Sequence, residues 1–156
     1  MNEEFEFIGA SDKPALVAFT SPHWLEAVRD ALVGLGYKVH TAATHSDFLT
    51  RFSQIHYQVV IVEELFSAAV AEENETLGAL QHMPMSQRRH ATILVVGESF
   101  QTFVPLQAFQ LSVHAVINPS EIMLLPQLIE KAVSDNDTFL RTYREAQASA
   151  NASARA

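Results

Sequence analysis

The sequence predicts an α/β fold built on a doubly wound, five-stranded parallel sheet with an extended C-terminal helix. Two observations predict it: short apolar runs alternate with helical patterns along the chain, and several of these runs are apolar throughout. Strands with apolar side chains on both faces are typical of parallel sheets that helices cover on both sides. The chain has 156 residues, enough for one compact domain with a full core.

The first half of the chain contains three predicted strands and two predicted helices. The strands are "PALVAFT" (14–20), "KVHTAA" (38–43) and "YQVVIVE" (57–63). The first helix follows Ser21 and Pro22, a sound helix start, and stops near Gly34 and Gly36. The second helix, "THSDFLTRFSQIH", places its apolar residues on one face, which is the pattern of a helix lying on a sheet.

The second half continues the alternation. Residues 67 to 90 contain an acidic loop and a third helix, and "ATILVVGE" (91–98) is the fourth strand. A short fourth helix in residues 99 to 112 precedes the fifth strand, "VHAVIN" (113–118). A long final helix begins after residue 118. Right-handed crossovers then favour the flavodoxin-like strand order 2-1-3-4-5, with the working crevice at the carboxyl ends of the strands.

Composition excludes several classes of function. A net charge of −8 argues against nucleic-acid binding by this chain alone, because that binding needs clustered lysines and arginines and only Arg88 and Arg89 adjoin each other. The absence of cysteine excludes disulfides and cysteine zinc sites. No apolar run approaches the roughly 18 residues of a membrane span, and no signal-peptide pattern is present. We expect a cytoplasmic protein without membrane contact.

Four segments in this order resemble the receiver domains of bacterial two-component response regulators, which have a CheY-like fold. The segments are "PALVAFT" with its helix to "LGY", then "YQVVIVE", "ATILVVGE", and "VHAVINP" before the last helix. The resemblance covers about residues 14 to 135. A functional receiver holds magnesium with an acid pair after the first strand and accepts a phosphoryl group on an aspartate that ends the third. A hydroxyl residue ends its fourth strand, and a lysine ends its fifth.

Each of these positions carries a different residue in this chain. Phe19 and Thr20 stand where the acid pair belongs, and Glu63 stands where the phosphoacceptor belongs. Gly97 replaces the hydroxyl residue, and Asn118, still followed by a proline, replaces the lysine. The resemblance therefore indicates a degenerate pseudo-receiver with these five residues around its pocket. The resemblance also allows a cis bond between residues 118 and 119, which is a minority form of bonds before proline.

The chemistry of these changes predicts that phosphorylation is lost. A phenyl ring and one hydroxyl cannot replace two carboxylates as ligands of Mg²⁺. Without the ion and the lysine, the charge on a transferring phosphoryl group has no partner. The extra methylene of Glu63 also moves its oxygens about a bond length too far into the crevice. We predict that the chain accepts no phosphate, holds no metal or cofactor, and is not an enzyme.

Two roles are open for Glu63. It is a phosphomimetic if its charge holds the fold in one signalling state, and it is otherwise a solvated acid tolerated at a strand end. Because Gly97 and Asn118 leave little nearby to read the charge, the second role is favoured. A mimic should point at the Asn118 amide, whereas a tolerated acid should face solvent.

Two pairs of histidines lie close together in the sequence. His82 and His90 flank "MPMSQRR" at a spacing of eight, and His40 and His45 lie five residues apart across the end of a strand. Neither spacing fits a recognisable metal motif, so surface histidines are expected.

The end of the chain carries the most positive functional signal. Helical pattern continues from about Glu121 to Gln147, which spans about 40 Å at 1.5 Å per residue. Heptad spacing relates Ile129, Ala132, Asn136, Phe139 and Tyr143. A polar Asn in such a seam sets the register of paired helices, although a helix folded back on its own domain has the same spacing. We therefore expect an acidic lead (1–13), a receiver-like domain (14–135), a helical extension (136–148) and a disordered tail or linker start (149–156).

The segment around the fourth helix is unusually apolar. It contains more apolar side chains than one short helix can bury, which indicates an exposed apolar patch. Such a patch usually marks a surface that binds a partner. With the last helix it forms the predicted interaction surface of Phe103, Leu106, Phe109, Phe139 and Tyr143.

Two classes of function follow from these features. The preferred class is a receiver-like module that is not phosphorylated and acts by forming a homodimer or by docking on a protein partner in a signalling pathway. The alternative is a small-ligand sensor or enzyme that reuses the crevice, with a polar lining of Thr20, Glu63, Glu64, Glu98 and Asn118.

Overall fold

The chain folds into five strands that alternate with helices. A computed structural model describes residues 7 to 155. The strands are β1 (Lys13–Ala18), β2 (Tyr37–Ala42), β3 (Val59–Glu63), β4 (Thr92–Val96) and β5 (Ala115–Ile117). The helices are α1 (Pro22–Gly34), α2 (His45–Gln54), α3 (Glu75–His82), α4 (Met85–Arg88), α5 (Pro105–Leu111) and α6 (Leu125–Ala154). Single 3-10 segments at Ala71–Glu73 and Pro119–Leu124 precede α3 and α6.

The strands form one parallel sheet in the order β2-β1-β3-β4-β5, which confirms the predicted fold class and topology. Strand β1 lies between β2 and β3, with Ala15 opposite Val39 of β2 on one side and Val59 of β3 on the other. Because every pair is parallel, the carboxyl ends of the strands meet at one edge of the sheet. The connection after β1 leads to β2 on one side of it, whereas the connection after β2 leads back to β3 on its other side. In folds of this kind the crevice lies at this change of direction, at the carboxyl ends of β1 and β3.

Helices cover both faces of the sheet, and each face has its own core. On one face the strands pack against α2, α3 and α5, through residues such as Phe48 and Leu80. On the other they pack against α1 and α6, through residues such as Leu32 and Ile129. Every residue of β3 and β4 is buried, which explains why these strands are apolar apart from Glu63 and Thr92. Each fully buried Val, Leu or Ile contributes about 1.5–3 kcal/mol.

The third helical region is divided into two helices rather than one. The division falls at Met83 and Pro84, whose ψ values of 133° and 145° are extended. Proline disfavours the helical conformation in the residue before it and cannot donate a backbone hydrogen bond. Helix α3 therefore ends at His82, and α4 makes one further turn before β4.

The final helix starts later and ends later than the sequence indicates. Glu121 has non-helical dihedral angles, and Pro126 is tolerated because it lies in the first turn of α6. The helix has 30 residues, which is a length of about 45 Å. The bond between Asn118 and Pro119 is trans, so the cis form that the resemblance allows is not the one adopted.

The ends of the chain also differ from the expected boundaries. Residues 149 to 154 continue α6 instead of forming a disordered tail. Strand β1 already begins at Lys13, the last residue of the expected acidic lead, and residues 1 to 6 of that lead lie outside the described residues. Within residues 7 to 155, no helix is both long enough and apolar enough to cross a membrane.

Candidate functional site

The five predicted pocket residues lie together at the carboxyl edge of the sheet. Phe19 and Thr20 follow β1, and Glu63 is the last residue of β3. Gly97 and Asn118 follow β4 and β5. Because the strands are parallel, these ends come to the same edge.

The carboxylate of Glu63 binds the start of α1. Glu63 is only 6 % exposed. Its Oε1 accepts hydrogen bonds from the backbone N–H of Thr20 at 2.7 Å and of Ser21 at 3.2 Å. Ser21 is the N-cap of α1, so the carboxylate lies at the positive end of the helix dipole. Backbone groups thus stabilise the charge of Glu63 beside the positions where a receiver's acid pair would hold a cation.

This contact fits neither of the two roles expected for Glu63. The side chain does not face solvent, and its hydrogen-bond partners lie at α1 rather than at Asn118. The amide of Asn118 is engaged elsewhere, because Nδ2 donates to the Phe100 carbonyl at 2.8 Å and Oδ1 accepts from Ser120 N–H at 2.9 Å. Asn118 therefore holds the loops after β4 and β5 in place and does not bind the carboxylate of Glu63.

The two residues at the acid-pair positions serve the fold. Phe19 is buried in the core shared by α1 and α6. Thr20 Oγ1 accepts a hydrogen bond from Ser67 N–H at 2.8 Å, which ties the loop after β1 to the loop after β3. Neither supplies a carboxylate. Residues 7 to 155 contain no group of three or more His, Cys, Asp or Glu that could hold a metal ion.

Gly97 leaves room for the side chain of Glu64. A Cβ on Gly97 would lie 2.6 Å from the Glu64 Cβ, so the glycine permits this close approach. The Ser99 hydroxyl donates a hydrogen bond to the Glu64 carboxylate. Glu64 consequently covers the end of β4, where a receiver's hydroxyl side chain would stand.

The crevice that remains is small and acidic. Its volume is about 160 Å³, and it is lined by Trp24, Glu63, Glu64, Leu65, Val96, Gly97 and Glu98. Sites for small molecules generally measure about 300–1,000 Å³. The lining contains three carboxylates and no lysine or arginine, which disfavours the approach of phosphate.

Asn74 supports this site and was missed by sequence reasoning. It is buried, and its Nδ2 donates to the carbonyls of Glu63 and Glu64 at 3.0 Å each. Its Oδ1 accepts from Leu77 N–H at 3.2 Å and caps α3. The available signal was local: Asn directly before Glu75 and an apolar helical run is an N-cap pattern.

The histidines have partners that sequence spacing does not indicate. His40 is buried, contrary to expectation, and its Nδ1 lies 2.8 Å from the Tyr57 hydroxyl. His45 lies 2.8 Å from a threonine hydroxyl of α3. The ring of His90 stacks on that of His56 with centroids 4.4 Å apart. Burial, and then the neighbouring His56, lower the pKa of His90.

Four of the five predicted interaction residues present apolar surface. Leu106, Phe109 and Phe139 are 64, 80 and 67 % exposed, and Tyr143 is 37 % exposed. Phe103 is instead half-buried, since it packs against the core of α1 and α6 and lies 5.5 Å from the Lys131 ammonium. The exposed members lie on α5 and α6.

Asn136 shows that the first part of α6 packs on its own domain. It is buried, and its Nδ2 donates to Thr92 Oγ1 of β4 at 3.0 Å. The heptad spacing up to this residue therefore reflects packing within the chain, the alternative that spacing left open. Beyond Leu140 the helix is exposed along its whole length.

A groove of about 920 Å³ lies between α4, the end of α5 and the exposed part of α6. We call it the α5–α6 groove. It is lined by Met85, Arg88, Arg89, Phe109, Gln110, Ser112, Val113, His114, Asn136, Phe139, Leu140 and Tyr143. It therefore combines a largely apolar wall with a cluster of basic side chains.

The two arginines of the groove are held differently. Arg88 is buried and donates to the carbonyls of Leu80 at 2.7 Å and Ser112 at 2.5 Å, near the ends of α3 and α5. Burial lowers the pKa of the Arg88 guanidinium. Arg89 is exposed and lies 4.6 Å from the centre of the Tyr143 ring. The groove thus places one fixed and one accessible cation beside aromatic surface.

His114 adds a neutral base to the groove. Part of its ring reaches solvent, but Nδ1 lies inside the fold and accepts a hydrogen bond from Ile93 N–H at 2.9 Å. Burial of this part of the ring, and then the nearby Arg88 guanidinium, lower the pKa of His114 to about 4.

Comparison with known proteins identifies the fold. No family model matches the sequence, and no curated protein matches it. A CheY-like receiver domain protein from Methanospirillum hungatei JF-1 matches with a TM-score of 0.63 and 16 % identity over 82 % of this chain and 98 % of that chain. A response regulator from Thermotoga maritima matches with a TM-score of 0.62 and 17 % identity over 79 % and 98 %.

A further match covers more of this chain. It is a fusion that contains a trimeric coiled-coil segment of yeast Spc42, with a TM-score of 0.65 and 13 % identity over 92 % of this chain and 91 % of that chain. Together with the strand order, these likenesses show that the chain has the CheY-like receiver fold with a long C-terminal helix added to it.

Proposed function

We propose that the chain is a receiver-fold signalling module that accepts no phosphate and acts through protein–protein contact. The contact of Glu63 with Thr20 and Ser21 carries the proposal. In this arrangement, the group at the phosphoacceptor position is bound by the start of α1 instead of facing a phosphoryl donor. A carboxylate whose Oε1 already accepts two hydrogen bonds from the start of α1 is poorly placed for in-line transfer.

The electrostatics of the crevice support the same proposal. Phosphoryl transfer needs positive charge around the transferring group. Glu63, Glu64 and Glu98 are the ionisable residues that line this crevice. The side chain at the lysine position, Asn118, is uncharged and is committed to loop carbonyls. On this view the module has no metal, no cofactor and no enzymatic activity.

The exposed apolar surface supports action through a partner. Phe109 and Phe139 are large, exposed and adjacent across one groove, and a soluble domain rarely leaves such a patch uncovered. We propose that a homodimer covers it, and that the dimer presents the module to a protein partner in a signalling pathway. Closed two-fold dimers are the commonest way to cover one patch on identical chains.

The alternative, a sensor or enzyme that reuses the crevice, gains no support from the geometry. The crevice of about 160 Å³ is below the usual range for small molecules, and three of its expected polar residues are engaged within the protein.

Treatment with acetyl phosphate and Mg²⁺ tests the proposal. The mass of the intact chain should not change, whereas a receiver that has the full set of phosphorylation groups should gain a phosphoryl group in the same buffer. An acid-stable or hydroxylamine-sensitive adduct on this chain would overturn the proposal.

Measurement of the native mass over a range of concentrations tests the homodimer, which a mass of one chain at all concentrations would contradict.

A further inference from the structure

We propose that the α5–α6 groove of one copy binds the acidic N-terminal segment, residues 3 to 7, of a second copy. The inference rests on the proposed function, because it names what covers the interaction surface. Three observations carry it: the charge of the groove, the chemistry of the segment, and the distance between them within one chain.

The groove is cationic in a chain that is strongly acidic. Arg88 and Arg89 line it, and none of the described residues that line it carries a carboxylate. Within residues 7 to 155, no carboxylate forms an ion pair with either arginine. Since the chain has a net charge of −8, the groove is set apart from the rest of the surface as a site for acidic groups.

The apolar wall of the groove fits aromatic side chains. Phe109 and Phe139 expose most of their rings there, and Tyr143 lies beneath the Arg89 guanidinium. Aromatic pairs contribute about 0.5–1.5 kcal/mol beyond the area that they bury. A volume of about 920 Å³ accommodates several side chains at once.

The segment "EEFEF" has the complementary chemistry. Glu4 and Glu6 alternate with Phe5 and Phe7 after Glu3, and residues 3 to 6 lie outside the described residues. Phe7 is described and is 79 % exposed. Bound as an extended strand, such a sequence presents phenyl rings to one side and carboxylates to the other. That alternation matches an apolar wall beside the accessible Arg89 guanidinium, with the buried Arg88 adding positive charge behind it.

The segment of the same copy is too far from the groove. The Phe7 carbonyl accepts a hydrogen bond from Lys38 Nζ at 3.2 Å, which places it at the β2 edge of the sheet. The groove lies at the opposite edge, where His114 leads into β5. Four strand spacings separate these edges by about 19 Å. Residues 3 to 6, fully extended, span at most about 14 Å. The occupant must therefore come from another copy.

Two-fold symmetry then closes the assembly. Each copy provides one segment and binds one, so both grooves of the dimer are filled. No groove remains free to bind a third copy, and the assembly does not grow into a filament. The inference thus explains in one arrangement the exposed Phe7, the basic groove and the apolar surface on α5 and α6.

Paramagnetic relaxation between copies tests this arrangement directly. The chain has no cysteine, so Asn2→Cys provides a single site for a nitroxide label on the full chain. Labelled protein without ¹⁵N is mixed with ¹⁵N-labelled wild type, and broadening then reports only contacts between copies. We expect the amides of Phe109, Phe139 and Tyr143 to broaden. Broadening that occurs only with nitroxide and ¹⁵N on the same copy, or no broadening at the groove, overturns the inference.

Charge reversal provides a second test. Arg89→Glu should weaken self-association about tenfold or more, because it places like charges together. Glu6→Arg combined with Arg89→Glu should restore most of that loss. Arg141→Glu is the matched control, since Arg141 is exposed on α6 but does not line the groove. If Arg89→Glu and Arg141→Glu weaken self-association equally, the inference fails. That failure leaves the acetyl phosphate result unaffected, so the two proposals are judged separately.

Discussion

Glu63 shows how the reach of a side chain determines which groups its carboxylate contacts. From the end of β3 its carboxylate reaches across to the loop after β1, where it meets the N–H groups of Thr20 and Ser21. Those groups are unpaired donors at a helix start, and an anion there is stabilised by hydrogen bonds and by the helix dipole. Glu63 is therefore a structural link between β3 and α1.

Replacement of Glu63 should consequently lower stability. Glu63→Ala leaves two partly buried N–H groups without an acceptor, so the free energy of unfolding should fall by about 1–3 kcal/mol. Urea denaturation followed by circular dichroism measures this change. Glu98→Ala is the control, because Glu98 lies exposed on the rim of the same crevice and its loss should change stability by less than about 0.5 kcal/mol. Equal losses in both variants would contradict the structural role of Glu63.

His114 predicts a dependence of stability on pH. Its pKa is about 4 in the folded chain, below its ordinary value of 6.5. Between these values the unfolded chain binds more protons than the folded chain, so the free energy of unfolding should decrease as the pH falls from about 6.5 to about 4. His114→Asn retains an acceptor for Ile93 N–H without this titration and should flatten the dependence. Denaturation of both proteins across this pH range measures it, and identical slopes would contradict the assignment.

At the scale of elements, the sequence predicts most strands and helices because their apolar patterns are long and regular. The apolar pattern does not reveal a helix boundary that is set by a single residue. Pro84 divides the third helical region, and Pro126 sets the start of α6, although both lie within continuous helical patterns. The direction of the Glu63 side chain could not be predicted either, because it depends on N–H groups that come close only after β1 and β3 pair. The exposure of the residues beyond Leu140 could not be predicted either, because it depends on how far the rest of the domain extends along α6.

Asn74 joins two elements, and its replacement should affect both. Asn74→Ala removes the N-cap of α3 and the donor to two carbonyls at the end of β3, so the free energy of unfolding should fall by at least about 2 kcal/mol. Thr44→Ala is the matched control. Thr44 caps α2 through a single bond from Asp47 N–H, and its loss should cost about 1 kcal/mol. Chemical denaturation compares them, and a cost for Asn74→Ala no larger than that for Thr44→Ala would contradict the double role.

At the scale of the whole molecule, the chain combines the receiver fold with a carboxyl edge whose polar side chains bind within the protein. The strand order and the two cores depend on apolar residues that the sequence keeps. The groups at the carboxyl edge are instead committed to hydrogen bonds within the protein: Glu63 to α1, Thr20 to the loop after β3, and Asn118 to the loop after β4. Exposed apolar and basic surface is concentrated at the other end of the domain, around the α5–α6 groove. The proposed function therefore depends on the surface and not on the crevice.

Titration with beryllofluoride in the presence of Mg²⁺ tests this account most directly, because beryllofluoride imitates a phosphoryl group on an acid without requiring transfer. The amide resonances of Thr20, Glu63, Gly97 and Asn118 report on the crevice in a ¹H–¹⁵N spectrum. The account predicts that beryllofluoride with Mg²⁺ leaves these resonances where Mg²⁺ alone leaves them. A saturable shift of the four resonances that requires both beryllofluoride and Mg²⁺ would contradict it.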